Sequence, residues 1–254
     1  MRIDGQRILA VSPHPDDAVL GMGAALSAAS QPIVVTVFAG DPGADTPASS
    51  WDQRLGPTAA DAAAVRRRED VAALGVVGAS AVQLGFLEAS YRSRSRCHEI
   101  YEGIDIFNLL RHDLVRVLES SQPEILVVPL GLGHVDHRLA AAAAISAWIT
   151  DRTCELWTYA EQPYAEHDPA LTRRRLRDLR AAAVPMIAMD DPQHAAARRE
   201  AVLTYRSQLS ALQRVFVGWE PGERTTELLW RLEFNPALGV VVPEMPVAVP
   251  HFVT

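Results

Sequence analysis

Short unbroken apolar runs alternate with helix-like stretches through the first 150 residues. The runs Arg7 to Ser12, Ile33 to Phe38, Ala81 to Leu84 and Glu124 to Pro129 read as strands. Their apolar residues are continuous rather than alternating, the pattern of strands buried on both faces. Between them the pattern predicts helices over Asp17 to Ala29, Thr58 to Leu74, Ile100 to Glu119 and Asp136 to Ile149. Strand–helix alternation of this kind builds a parallel sheet covered on both sides. The expected fold class is therefore α/β, Rossmann-like, with a mostly parallel sheet and helices on both faces. Two polar segments interrupt the rhythm: Gly40 to Pro57, rich in Gly, Pro, Asp and Ser, and the Arg-rich Glu88 to His98. Both read as long loops, and loops of that length in compact domains are commonly functional.

After Thr150 the rhythm loosens. Glu155 to Ala160, Val184 to Met189 and Glu227 to Phe234 read as strands, and Ala195 to Leu212 as one helix. The pattern shows no repeat, linker or composition break. Residues 1–254 are thus expected to form a single domain, with 1–150 as its Rossmann-like core and 151–254 completing it.

Composition narrows the picture. A chain of 254 residues that is 48% hydrophobic suits one large domain. No apolar stretch reaches the roughly 18 residues of a membrane span. Met1-Arg2-Ile3-Asp4-Gly5 leads into the first strand without the form of a signal peptide, so a cytoplasmic location is expected. Cys97 and Cys154 are too few and too far apart for a disulfide framework or a thiolate zinc site. A net charge of -7 argues against a nucleic-acid partner. Arg173, Arg174, Arg175, Arg177 and Arg180 read as a solvated helix face. A homo-oligomer is left open. All 24 basic residues are arginine. That removes Schiff-base chemistry and the Walker lysine, and leaves histidines and carboxylates as proton carriers near neutral pH.

Those groups concentrate in two places. His14-Pro15-Asp16-Asp17 follows the first strand, and Gly133-His134-Val135-Asp136-His137 follows the fourth. Carboxyl ends of parallel strands are where open α/β sheets place their sites. Pro15 fixes the turn and biases His14 toward extended geometry, so His14 and Asp17 can both point into the mouth of the sheet. A capping role explains one aspartate, but not two beside a histidine. In the second segment, one histidine can bind a metal while the other faces substrate, and Asp136 can orient an imidazole. Two such strand ends can converge on one ion. Competing readings fall short. Gly21-Met22-Gly23 lacks the third glycine of a dinucleotide loop and falls inside the helix, so close helix–strand packing is expected of it. Ser12 has no surrounding elbow motif and reads as a buried hydroxyl. His98, His112, His167, His194 and His251 have no partners nearby in sequence.

Together the two segments closely resemble the LmbE-like, or PIG-L, family of zinc-dependent N-deacetylases, which pairs an AHPDD(E) motif with a later HxDH. Arg66-Arg67-Arg68-Glu69 and Tyr205-Arg206-Ser207-Gln208 resemble further family elements. The resemblance implies one Zn2+ held by His14, Asp17 and His137. It implies Asp16 as general base, His134 as the group that stabilises the oxyanion, and Arg66 and Glu88 as substrate contacts. Two positions depart from the pattern: Ala18 replaces the usual Glu, and Glu88 replaces an Asp. The version here resembles members that deacetylate glycosylated natural products, so an amino-sugar or glycoside substrate is expected. Zinc would acidify a water and polarise the amide. Asp16 would move the proton, and Asp136 would hold His134 in its tautomer and favour its charged form. A bell-shaped pH profile with Asp16 ionised and His134 protonated follows. Trp51 and Tyr91, in the two long loops, either stack on a sugar or anchor their loops, with anchoring favoured. A broader N-acyl amidase and a catalytically silent ligand binder stay open as alternatives.

Overall fold

The computed structural model describes residues 3–55, 58–92, 106–186, 191–223 and 227–234. Its strands are β1 (Arg7–Ser12), β2 (Ser30–Thr36), β3 (Ser80–Gln83), β4 (Ile125–Pro129), β5 (Glu155–Tyr159), β6 (Ala182–Met186) and β7 (Leu229–Glu233). They form one sheet in the order β3-β2-β1-β4-β5-β7-β6. The first five are parallel, as expected, while β7 runs antiparallel to both β5 and β6. The fold is a mostly parallel α/β sheet with an antiparallel edge.

The helices are α1 (Asp17–Ala28), α2 (Ala59–Val76), α3 (Ala89–Arg92), α4 (Ile106–Ser121), α5 (Val135–Asp151), α6 (Tyr164–His167), α7 (Pro169–Asp178), α8 (Pro192–Val202) and α9 (Arg206–Val215). The central strands β1, β4, β5 and most of β2 are buried on both faces, whereas the edge strand β3 is half-exposed. Ile8 and Ala10 of β1 pack into one core with α1 and α8, and Leu9 and Val11 pack into a second core with α4 and α5. β1 lies between β2 and β4, so the order in which successive parallel strands are added reverses there. That topological switch is where the crevice of such a sheet opens.

Several boundaries differ from the sequence reading for physical reasons. The expected helix over Ala195 to Leu212 is two helices. Between them Tyr205 turns into the core and its hydroxyl donates to Asp70, 2.9 Å away. β2 ends at Thr36, yet Val37 and Phe38 still donate backbone hydrogen bonds to Ser12 and Pro13, so the chain follows β1 to its end. Arg173, Arg174, Arg177 and Arg180 are exposed as expected, but Arg175 is buried against the turn at Gly131. Gly21 does serve close packing, since a Cβ there would stand 2.6 Å from the ring of Tyr159. Parts of four expected segments, at 56–57, 93–98, 100–105 and 187–189, lie outside the described residues, as do Cys97, His98 and His251. Among the described residues no helix is long and apolar enough to cross a membrane.

Candidate active site

The two His/Asp segments are strand-to-helix elbows side by side. At the first, Ser12 takes over the capping. Its hydroxyl accepts from the Ala18 N–H at 3.0 Å and donates to the His14 carbonyl at 2.7 Å. Asp16 and Asp17 are thereby released from that duty. Asp17 instead accepts from the His14 backbone N–H at 2.8 Å. Asp16 sits at φ 138°, in a region that disfavours any residue but glycine. At the second elbow His134 is the N-cap of α5, accepting the Asp136 backbone N–H on Nδ1 at 3.2 Å. Gly133 (φ 65°) has no room for a side chain, because a Cβ there would stand 2.1 Å from the ring of Tyr164.

The elbows bring three donor atoms together. His14 Nδ1 lies 3.3 Å from Asp17 Oδ2, Asp17 Oδ2 lies 3.2 Å from His137 Nε2, and His137 Nε2 lies 3.3 Å from His14 Nδ1. Ligands on a tetrahedral zinc at about 2.0–2.1 Å stand about 3.3 Å apart, so the triangle has the right size. Each imidazole also has a carboxylate behind it. His14 Nε2 lies 3.1 Å from Asp136, and in the neutral ring a proton held there leaves the lone pair on Nδ1. Glu161 Oε1 lies 3.3 Å from Nδ1 of His137, a charged contact too bent to be a hydrogen bond. Such partners orient metal-binding histidines. A looser trio of His14, His134 and His137 has its donor atoms within 4.8 Å of one another. The His/Asp/His triangle is the tighter fit, and His134 already uses Nδ1 on the backbone.

Opposite charges hold the cluster together. Burial opposes charge on His14, but its bonds to Asp136 and Asp17 outweigh this and raise its pKa to about 9. His137 is likewise raised well above the usual value by Asp17 and Glu161 against the effect of burial. Burial raises Asp17, yet the two imidazoles hold it far below the ordinary carboxylate range. Asp16 behaves oppositely. Burial first, then the charge of Asp17, push it up to about 8, against the pull of Arg66 and His14. Two adjacent carboxyls pushed apart in this way divide into a fixed anion and a proton carrier.

The second elbow revises one expectation. Asp136 does orient an imidazole, but its carboxylate bonds His14 and stands 3.8 Å from His134. The tautomer of His134 is set by the backbone N–H of Asp136, which leaves the proton on Nε2. Burial and the charge of His14 lower His134 to about 4. A value that low leaves it neutral near pH 7, and burial is the main reason.

Arg66 and Glu88 come together beside Asp16. Their ion pair is 2.8 Å long, and with Pro15, Phe38, Gly40 and Asp52 they line a small cleft. Trp51 and Tyr91 are anchors. Trp51 Nε1 donates to Gln208 at 2.8 Å, and the Tyr91 hydroxyl donates to the buried Asp52 at 2.7 Å. Sequence reading missed Glu161, Asp52 and Arg92. Glu161 had a signal, an acidic residue closing the apolar run Leu156 to Ala160. Asp52 and Arg92 had none, since they meet the site through long-range contacts.

Comparison with known proteins places this arrangement. The sequence model of the PIG-L family, described as GlcNAc-PI de-N-acetylase, matches residues 9–148 and so spans both elbows. Among solved structures, the A40926 pseudoaglycone deacetylase Dbv21 is 27% identical with a TM-score of 0.68, over 90% of this chain and 98% of that one. The zinc-inhibited form of teicoplanin deacetylase Orf2 shares the fold at 22% identity and TM-score 0.71, over 91% and 99% of the two chains. So does the 4-carboxy-2-hydroxymuconate hydratase GalB from Pseudomonas putida KT2440, at 18% identity and TM-score 0.58 over 90% and 95%. No curated protein matches the chain. Fold and elbows together define an LmbE-like α/β protein with a buried His/Asp cluster at its sheet switch. The chain belongs to the PIG-L family.

Proposed function

We propose that this protein is a zinc-dependent hydrolase that removes an N-acyl group, foremost N-acetyl, from an amino sugar on a glycosylated natural product. The reading rests on one observation: the donor triangle of His14, Asp17 and His137, with the displaced carboxyl of Asp16 beside it. The hydratase of the same fold is a reminder that fold alone fixes no reaction. The similarity to glycopeptide deacetylases supports the substrate class.

His14, Asp17 and His137 would hold the ion, with Asp136 and Glu161 steadying the imidazoles. When bound there, zinc supplies Lewis acidity toward an amide carbonyl and acidifies a water. Asp16 accepts the proton of the attacking water and returns it to the departing amine. Its leading influences are burial and charge, which leave its lone pairs available. His134, neutral and carrying its proton on Nε2, donates to the oxygen that gains charge as the carbonyl is attacked. Arg66 and Glu88 present a donor and an acceptor to sugar hydroxyls from the cleft wall.

The test is acetate release from a panel of N-acetyl glycosides and simple N-acyl amides, before and after a chelator and after zinc is restored. Release of a free amine and acetate from glycosides, lost and regained with zinc, is the expected result. Equal rates on plain amides would move the reading to a broader amidase. Metal binding without turnover of anything would make the protein a silent binder. Turnover that survives complete metal removal would overturn it.

A further inference from the structure

We infer that Arg92 is a positioning residue for the metal centre, fixing the carboxylate of Asp136 that in turn fixes His14. The inference rests on the reading that His14 holds an ion. It concerns a residue outside both motif segments, on the Arg-rich stretch after β3.

Asp136 is fully buried and its two oxygens are divided between neighbours. Oδ2 accepts from His14 Nε2 at 3.1 Å and from the Ala89 backbone N–H at 2.8 Å. Oδ1 faces Arg92 Nη2 at 2.7 Å, in a contact bent enough that charge rather than hydrogen-bond alignment carries it. The guanidinium is itself held on its other sides. Arg92 Nη1 donates to the Leu87 carbonyl at 2.9 Å, and the group lies over the ring of Phe38, 5.3 Å from its centroid. Phe38 in turn packs beside the His14 ring. A solvated surface arginine is not pinned in this way.

The consequence follows from where the charge sits. Without Arg92, Oδ1 becomes a buried anionic atom facing no cation, an arrangement a protein relieves by rotating or protonating the carboxylate. Either response loosens the bond to His14 Nε2, and with it the ring plane and tautomer that aim Nδ1 into the triangle. Glu88, on the cleft wall, precedes Ala89 and Arg92 by one and four positions. The substrate wall and the support of the ion therefore share one short segment, α3 and the residues just before it.

The experiment measures zinc affinity by competition with a chromophoric chelator, together with the absorption spectrum of the cobalt-substituted protein. The proteins are the wild type, Arg92→Gln, Arg92→Lys and, as a charge control, Arg111→Gln on α4, where the Arg111 guanidinium donates to Thr150 at the far end of α5 from the site. Apo melting temperatures report folding. Zinc affinity should fall about tenfold in Arg92→Gln, the lower end of effects seen for groups behind metal ligands. The cobalt spectrum should shift with it. Arg92→Lys keeps the charge but cannot hold Leu87 and Asp136 together, so it should lose only two- to fivefold, and Arg111→Gln should match the wild type. A merely structural strut would lower the apo melting temperature and leave affinity and spectrum alone. Wild-type affinity in every folded Arg92 variant would overturn the inference and leave the metal reading intact. A wild-type protein that binds no zinc would overturn both.

Discussion

The two elbows carry the same residue types and use them differently. After β1, capping passes to Ser12, and the aspartates that a helix start would normally employ face the triangle or stand beside it. After β4, His134 does both jobs: one ring nitrogen caps α5 and the other stays free. The first elbow also holds Asp16 at φ 138°, while its counterpart His134 sits in ordinary extended backbone at φ -121°. The difference teaches that chemistry at the first elbow is bought with backbone strain, and at the second is superimposed on normal helix architecture.

The largest effect should come from removing a donor atom of the triangle. His14→Ala and His137→Ala are expected to lose zinc and all measurable turnover, one from each elbow. Metal analysis of the purified variants checks this, and full retention in both would remove the triangle from consideration. Next, Asp16→Asn should keep zinc and lose turnover by roughly 10²–10⁴-fold, the scale of general acid–base catalysis. The wild-type rate should rise with pH as Asp16 gives up its proton, which burial and Asp17 hold up to about 8, and that limb should vanish in the variant. No basic limb from His134 is expected, since it is already neutral above about 4. A bell with its upper limb abolished by a His134 substitution would contradict this.

His134→Ala separates the elbows more sharply. It should lose roughly 10²–10³-fold in rate as a missing donor to the oxyanion. It should also lose about 1 kcal/mol of stability as a missing N-cap, read by denaturant unfolding of the apo protein. The smallest effect has the opposite sign. Asp16→Gly should be inactive yet about 1 kcal/mol more stable, because the strain at φ 138° and the buried carboxyl disappear together. A variant that is destabilised instead would mean that Asp16 is not held against its preference.

Much of this was legible in the sequence, and the reason is local. The continuous apolar strands fix the parallel sheet, and both elbows are contiguous segments at strand ends. The segments at 66–69 and 205–208, far apart in sequence, lock together: Glu69 accepts from the Ser207 backbone at 3.0 Å, and Tyr205 breaks the late helix to reach Asp70. The break itself was not legible, since Leu203-Thr204-Tyr205 carries no Gly or Pro. The antiparallel edge was not legible either. Pro185 marks β6 as an edge strand, but the pairing of β6 with β7 is a tertiary choice. At the site, the residue types were readable and their partners were not. Asp136 stands two residues from His134 in the chain and bonds His14 across the sheet.

That last contact has a kinetic meaning. The first elbow and the second become neighbours when β1 pairs with β4, placing Ile8 opposite Ile125 across most of the first half of the chain. Closure of so long a loop is slow and comes late in the folding of parallel sheets. During refolding, the appearance of a competent cobalt spectrum would therefore time the union of β1 with β4, and a chain truncated before β4 would carry two of the three donors and never develop it.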